Sequence, residues 1–187
     1  AAAALVKTQF PNYTPGQLGE QLRATADNIY SIPGNANFQY QLGSGRLNMY
    51  RALTESPKSV RMEDLVITDN NDNAFAGNDT LDLVVTLKNY LAPVQNLSAT
   101  LISNNPGVAV INANINPGPM GTLATYTNGS IPFRAVVNPT VPFNTKVTFR
   151  LQFADGAYSD WQTFDLVVNV DYINVLVNDI GTTVTSK

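Results

Sequence analysis

The spacing of apolar residues changes once along this chain, and the change limits what each part can fold into. Before residue 54, apolar side chains recur every three or four positions, which is the spacing of one face of an α-helix. From residue 60 onward they alternate with polar side chains, which is the period of a half-buried β-strand. Residues 54–59 between them are polar and contain a proline. We therefore predict a helical domain at residues 1–56 and a β domain at residues 57–187.

The alternation in the second part predicts seven or eight strands. It is clearest at residues 81–87, 131–137, 147–153 and 164–170, with further candidates at residues 60–68, 94–103 and 108–112. Turn-forming Gly, Pro, Asn and Asp residues separate the strands at residues 105–107, 117–119, 128–129 and 155–156. This pattern predicts a mainly β fold, an antiparallel immunoglobulin-like β-sandwich. The chain has no cysteine, so the disulfide pattern of antibody domains is excluded.

The first part contains a clear helix start. Thr14 can cap the helix, Pro15 occupies the first position, where no amide hydrogen is needed, and Gln17 completes a capping box. Because Gly16 and Gly19 weaken the helix, it needs packing to persist. Apolar residues recur on one face of this helix, at Leu18, Leu22, Ala26 and Ile29. We expect this face to be buried.

Several short motifs follow one another in order within residues 5–53. A small-residue run leads into the tripeptide Leu-Val-Lys, a proline-bounded turn follows at residues 11–15, and a Thr-Ala pair occupies residues 25–26. A GxGxxN motif at residues 43–48 then precedes a final short helix. This segment resembles the C-terminal end of the catalytic domain of subtilisin-like serine peptidases. The helical part would then be a remnant of an α/β subtilase domain.

The resemblance implies that the chemistry lies outside this chain. The nucleophilic serine would lie roughly two to three helical turns before Ala1, and the parent protein would hydrolyse peptide bonds through an acyl-enzyme intermediate. Residues of this chain would only support the catalytic domain. Its apolar helical residues would pack against the large α/β sheet of that domain; they are Leu5, Val6, Leu18, Leu22, Ile29, Leu47 and Leu53.

The composition excludes most catalytic machinery. The 187 residues contain no histidine and no cysteine. A Ser-His-Asp triad needs an imidazole to take the serine proton, and a Cys-His pair needs both of the missing residue types. Zinc sites consist mainly of Cys and His, so the composition also argues against zinc. We therefore expect that the chain alone is not a peptidase, although its parent protein is.

The sequence of residues 69–110 shows a second resemblance to known proteins. An acidic loop precedes the pattern LxVxLxN at residues 83–89. This arrangement resembles the accessory β-sandwich domains appended to secreted bacterial enzymes. Together the two resemblances imply the C-terminal fragment of a secreted or cell-surface subtilisin-like serine endopeptidase, whose partners are the rest of the parent peptidase and its protein or peptide substrate. The alternative is a non-enzymatic adhesive or spacer β-sandwich module of a cell-surface protein.

The acidic loop at residues 69–79 is the one segment with the composition of a metal site. Its oxygen-rich side chains suit calcium, which takes six to eight oxygen ligands. An EF-hand is excluded, because Ala74 stands where the glycine is required and Thr80 where the bidentate Glu is required. A looser calcium site remains, or else a turn whose side chains cap its own backbone. The candidate ligands are Asp69, Asn71, Asn73 and Asp79, with Asp72 as an alternative to Asp79.

Aromatic residues near the end of the chain suggest a second site. Trp161, Tyr158 and Tyr172 could form a platform on which sugar rings stack. The alternative is packing in the core and at its rim, which the strong alternation beside Trp161 favours. The last residues, 170–187, are interpreted as a final strand followed by an exit from the domain.

The charge balance and the length of the apolar runs exclude two classes of partner. Charged residues make up 13% of the chain, and the net charge is −3, so there is no basic surface for nucleic acid. No apolar run approaches the length that spans a bilayer. We therefore expect neither a nucleic-acid partner nor a membrane span.

The absence of histidine gives a direct prediction. The isolated chain should show no labelling by a fluorophosphonate probe and no hydrolysis of casein or peptide esters, because no residue can activate a serine in the way a triad does. Labelling that disappears on substitution of a single serine would contradict this and reveal a nucleophile of another kind.

Overall fold

The architecture is mainly β, as the alternation predicts. A computed structural model of the chain describes residues 1–69 and 71–171. Strands hold 43% of residues and helices 16%, so the helices are a minor part. The predicted final strand and exit at residues 170–187 lie almost entirely outside the described residues, and so does Tyr172.

Three short α-helices and one 3₁₀ turn make up the N-terminal part, called here the helical segment (residues 1–56). They are α1 (Ala2–Gln9), α2 (Pro15–Ala24), the 3₁₀ turn Ala36–Phe38, and α3 (Met49–Thr54). The predicted start of α2 is confirmed. The Thr14 hydroxyl accepts a hydrogen bond from the Gln17 amide at 3.3 Å, and the Gln17 side-chain oxygen accepts one from the Thr14 amide at 3.1 Å.

Nine antiparallel strands form two sheets, called here the β unit (residues 60–168). The strands are β1 (Val60–Thr68), β2 (Thr80–Asn89), β3 (Val94–Ser103), β4 (Val108–Asn112), β5 (Asn114–Met120), β6 (Thr125–Thr127), β7 (Phe133–Val137), β8 (Thr145–Asp155) and β9 (Tyr158–Val168). The first sheet has the order β1-β2-β7-β4, with β6 beside β2. The second has the order β5-β3-β8-β9.

One apolar core lies between the two sheets. Strands β2 and β8 show the predicted alternation, and every second side chain is fully buried. The buried members from these strands are Leu81, Leu83, Val85, Leu87, Val147, Phe149, Leu151 and Phe153. Since both sheets contribute to the same cluster, burial of apolar area is the main force that holds them together.

Two details of the strand prediction are wrong. The alternation predicts Ile131 on the inner face, but its side chain is 64% exposed. The Ile131 amide donates to the Asn128 carbonyl in a turn, and β7 begins only at Phe133. The turn predicted at residues 117–119 is instead part of β5. This strand lies at the edge of its sheet, where prolines are tolerated, and the register with β3 shifts beside the left-handed Gly118.

Helix α2 buries a different face from the one its apolar spacing predicts. The fully buried positions are Gln17, Gln21 and Thr25, whereas Leu18 and Leu22 remain partly exposed. The buried positions are four residues apart and therefore lie along one side of the helix. Helix α2 thus turns a polar face inward and leaves its two leucines partly exposed.

Hydrogen bonds explain why glutamines occupy the inner face. The Gln17 side-chain amide donates to the Tyr90 carbonyl in the β unit at 3.0 Å. The Gln21 amide donates to the Ala52 and Glu55 carbonyls at the end of α3, at 3.0 and 2.8 Å. Carbonyls at a helix C-terminus have no partner within the helix, so a glutamine from a neighbouring helix satisfies them.

A buried ionic cluster joins the helical segment to the β unit. The Arg23 guanidinium pairs with Asp160 of β9 through two contacts of 2.5 and 3.1 Å and with Glu20 at 2.6 Å. It also donates to the Ser59 hydroxyl at 2.9 Å. Burial alone would lower the pKa of Arg23, but the hydrogen bonds and charges of Asp160 and Glu20 outweigh it and raise the pKa. The cluster therefore favours the charged arginine and fixes α2 against β9.

We expect Arg23→Ala to destabilise the protein strongly. Removing one member of a largely buried ion pair leaves the partner carboxylates desolvated and uncompensated, which costs about 3 kcal/mol of unfolding free energy. Arg134→Ala is the matched control, because its pair with Asp82 is exposed to solvent. Urea unfolding of both variants tests the expectation. An equal loss in the two would mean that the cluster contributes no more than a surface pair.

Candidate functional site

The glycine motif at residues 43–48 forms a turn that is tied to the end of α2. Asp27 and Arg46 exchange backbone hydrogen bonds of 2.8 and 3.0 Å. The Asp27 carboxylate also accepts hydrogen bonds from the Asn48 side-chain amide at 2.8 Å and from the Arg46 guanidinium at 3.0 Å. The hydrogen bond from Asn48, followed by that from Arg46, lowers the pKa of Asp27. Asn48 in turn caps α3 by accepting from the Arg51 amide at 3.0 Å.

Backbone geometry and steric space explain why this motif contains glycines. Gly43 and Gly45 have φ angles of +64° and +119°, a region that favours glycine. A Cβ atom on Gly45 would lie 2.0 Å from the Asp27 carbonyl oxygen, so no other residue fits there. Within this chain the GxGxxN pattern is therefore a structural turn that brings α3 back to α2.

The acidic loop satisfies much of its own backbone. The Asp69 side chain accepts hydrogen bonds from the amides of Asn71 and Asn73, each at 3.0 Å. At the far end of the loop, the Asp79 carboxylate accepts from the Ala76 amide at 2.5 Å. Burial opposes ionisation of Asp69, but the backbone hydrogen bonds, that from Asn71 first, outweigh it and lower its pKa. These contacts fit the interpretation of the loop as a turn whose side chains cap its own backbone.

The predicted calcium ligands are only partly brought together. Asp69, Asn71 and Asn73 share one turn, whereas Asp79 closes a separate one. Within residues 1–69 and 71–171, no group of three or more His, Cys, Asp or Glu side chains is arranged to hold a metal ion. The second Asp69 oxygen, Oδ2, is buried without a hydrogen-bond partner among these residues, which leaves one oxygen available for a cation. Calcium binding stays a prediction.

The predicted aromatic platform divides into two different environments. Tyr158 packs against the core, and its hydroxyl accepts a hydrogen bond from the Val60 amide at 2.9 Å, as the packing alternative expects. Trp161 is three residues further along β9 and so lies on the opposite face. Its ring contacts Tyr40 edge to face, with 5.0 Å between ring centroids.

A cavity of about 460 Å³ lies where the helical segment meets the second sheet. A second cavity, of about 510 Å³, shares Gln39, Tyr40 and Arg150 with the first. We call the pair the junction groove. The sequence gives no signal for this groove, because Tyr40 and Arg150 are far apart along the chain and neither belongs to a recognisable motif. Only the contact between the two parts of the fold brings them together.

Comparisons with known proteins give no family assignment. No protein-family model matches the chain, and no curated protein matches it. In the part of the chain that the structure describes, no helix is both long enough and apolar enough to cross a membrane.

The acidic loop gives a metal-binding prediction. If calcium binds there, millimolar Ca²⁺ should raise the melting temperature through mass action on the folded state. Asp69→Ala should abolish the increment. Asp69→Asn, which can still accept the two backbone hydrogen bonds, should retain the fold but lose most of the increment, because the negative charge is gone. Identical melting curves in calcium and in chelator would support the turn interpretation instead.

Proposed function

We propose that this chain is the C-terminal, non-catalytic part of a secreted or cell-surface subtilisin-like serine endopeptidase. In this proposal the helical segment completes the catalytic domain. The β unit is an accessory immunoglobulin-like β-sandwich. The observation that supports the proposal most is the number of exposed large apolar side chains in the helical segment.

Large apolar side chains are unusually exposed in the helical segment. Twelve large apolar side chains are strongly exposed in the part of the chain that the structure describes, and six of them lie in the helical segment. This segment has 56 residues, about a third of the described residues. The six are Leu5, Ile32, Phe38, Leu42, Leu47 and Tyr50. They lie in α1, in the connection between α2 and α3, and in α3 itself, and would offer apolar contacts to another protein surface.

The contacts that the helical segment makes with the β unit also support a role between two partners. Polar groups contact the β unit: Gln17 bonds to Tyr90, Glu20 pairs with Arg61, and Arg23 pairs with Asp160. The apolar positions that the subtilase resemblance assigns to the catalytic domain include Leu5 and Leu47, which are 54% and 50% exposed. Val6 of the same set is buried within the segment, and Leu18, Leu22, Ile29 and Leu53 are half-buried. The surface left for the catalytic domain would therefore centre on Leu5 and Leu47.

The chemistry would reside in the rest of the parent protein. Its serine, histidine and aspartate would attack the peptide bond and form the acyl-enzyme, since this chain has no histidine of its own. The contribution of this chain would be mechanical. The turn at residues 43–48, held by Asp27, fixes α3 beside α2 and so sets the position of the exposed Leu47 for contact with the catalytic domain.

The first test is the natural protein itself. We expect the residues that precede Ala1 in the gene product to contain a Gly-Thr-Ser pattern of the subtilase type, and the full-length protein to react with a fluorophosphonate probe. Full-length protein that lacks the pattern and does not react would overturn the proposal and favour the adhesive or spacer alternative.

The second test separates the proposed contact from general stability. In the full-length protein, Leu47→Asp should lower the yield of probe-reactive enzyme by about tenfold, because it places a charge in the proposed apolar contact. Ile131→Asp is the matched control, since Ile131 is also strongly exposed, at 64% against 50% for Leu47, but lies on the β unit. It should leave the yield unchanged. Equal yields from both variants would show that Leu47 has no apolar partner.

A further inference from the structure

The junction groove has the size and position of a ligand site. Each of its two cavities falls within the range of about 300–1,000 Å³ that is typical of small-ligand sites. The cavities meet at Tyr40 and Arg150, so an extended ligand that fills both must pass these two side chains. This region is on the opposite side of the second sheet from the core, because Arg150 lies between the buried Phe149 and Leu151.

Arg150 differs from the other cations of the groove, because it has no acidic partner among residues 1–69 and 71–171. Arg23 pairs with Asp160, Lys58 pairs with Asp155, and Lys146 pairs with Asp165. Within the described residues, Arg150 forms no ion pair, and its Nε is buried without a hydrogen-bond partner. Its charge is thus uncompensated among these residues, and an anionic ligand in the groove would compensate it.

The side chain of Arg150 is nevertheless held in place. Its guanidinium carbon lies 4.0 Å from the centre of the Tyr40 ring, a cation–π contact. Tyr40 in turn contacts Trp161 edge to face. The Tyr40 backbone has a φ of +66°, which is costly for a residue with a side chain, so the surrounding fold keeps this ring in position against a local strain.

The remaining lining suits a sugar chain better than a peptide. Side-chain amides of Gln39, Gln41 and Gln152 line the groove and form no hydrogen bond within the described part of the chain. Amides and aromatic faces are the groups that hydroxyl-rich rings contact. An apolar pocket for a peptide side chain is missing from the described lining, where Ile102 is the largest aliphatic residue.

We propose that the junction groove binds an acidic oligosaccharide, one that carries uronic acid carboxylates. A carboxylate would accept paired hydrogen bonds from the two terminal nitrogens of the Arg150 guanidinium, while a neighbouring ring lies beside Tyr40 and Trp161. Every residue that lines the site belongs to this chain, so its binding can be measured without the proposed catalytic domain and tested separately from the proposed peptidase role.

Intrinsic fluorescence provides a direct measurement. The chain has a single tryptophan, Trp161, so its emission reports on the groove alone. We expect a saturable change on titration with at least one of three probes: oligogalacturonate, an alginate oligosaccharide and a hyaluronan oligosaccharide. The methyl ester of the bound probe, which has the same sugar chain without charge, should bind at least about tenfold more weakly.

Matched variants show whether Arg150 is the carboxylate partner. Arg150→Gln should weaken binding by about tenfold while leaving the melting temperature close to that of the original chain, because Arg150 forms no hydrogen bond or ion pair within the described residues. Arg134→Gln removes the same charge from the other sheet and should leave the affinity unchanged.

Four outcomes would overturn the proposal. They are the absence of a fluorescence change with all three probes, equal binding of the methyl ester, equal weakening by the two variants, and binding of an acidic peptide such as hexaglutamate in place of the sugars.

Discussion

The contact between Arg23 and Asp160 determines how the two parts of this chain are arranged. It is a two-point ionic contact, so it fixes orientation as well as distance. Glu20 and Ser59 complete the cluster, which leaves its charges compensated in a region that water reaches poorly. Because α2 is fixed in this way, its partly exposed apolar side and the loop that carries Tyr40 both take defined positions. The partly exposed apolar side of α2 and the junction groove are thus two consequences of one contact.

The β unit could be predicted because its pattern depends on local geometry. Side chains of a strand alternate between two faces, so the spacing of Leu81, Leu83, Val85 and Leu87 directly reports which side is buried. The exceptions arise where another constraint prevails. The turn signal at Pro117 and Gly118 fails because an edge strand tolerates both residues, and Ile131 is exposed because the Asn128 turn delays the start of β7.

The helical segment and the sites were less predictable, for a different reason. The start of α2 follows from Thr14 and Gln17, which are neighbours in sequence. Which face of α2 is buried depends on carbonyl groups of α3 and of the β unit, which the local sequence does not specify. The acidic loop is visible in the sequence because its side chains act on adjacent residues. The junction groove is not, since Tyr40 and Arg150 meet only through the docking of the two parts.

Strand β5 protects the second sheet at one of its edges. An uncovered edge offers free amide and carbonyl groups that can pair with a strand of another molecule and begin aggregation. Pro117 and Pro119 have no amide hydrogen to offer, and the left-handed Gly118 between them interrupts the regular geometry that a second strand would need. The residues that misled the turn prediction therefore make this edge a poor template for intermolecular pairing, which favours solubility at high concentration.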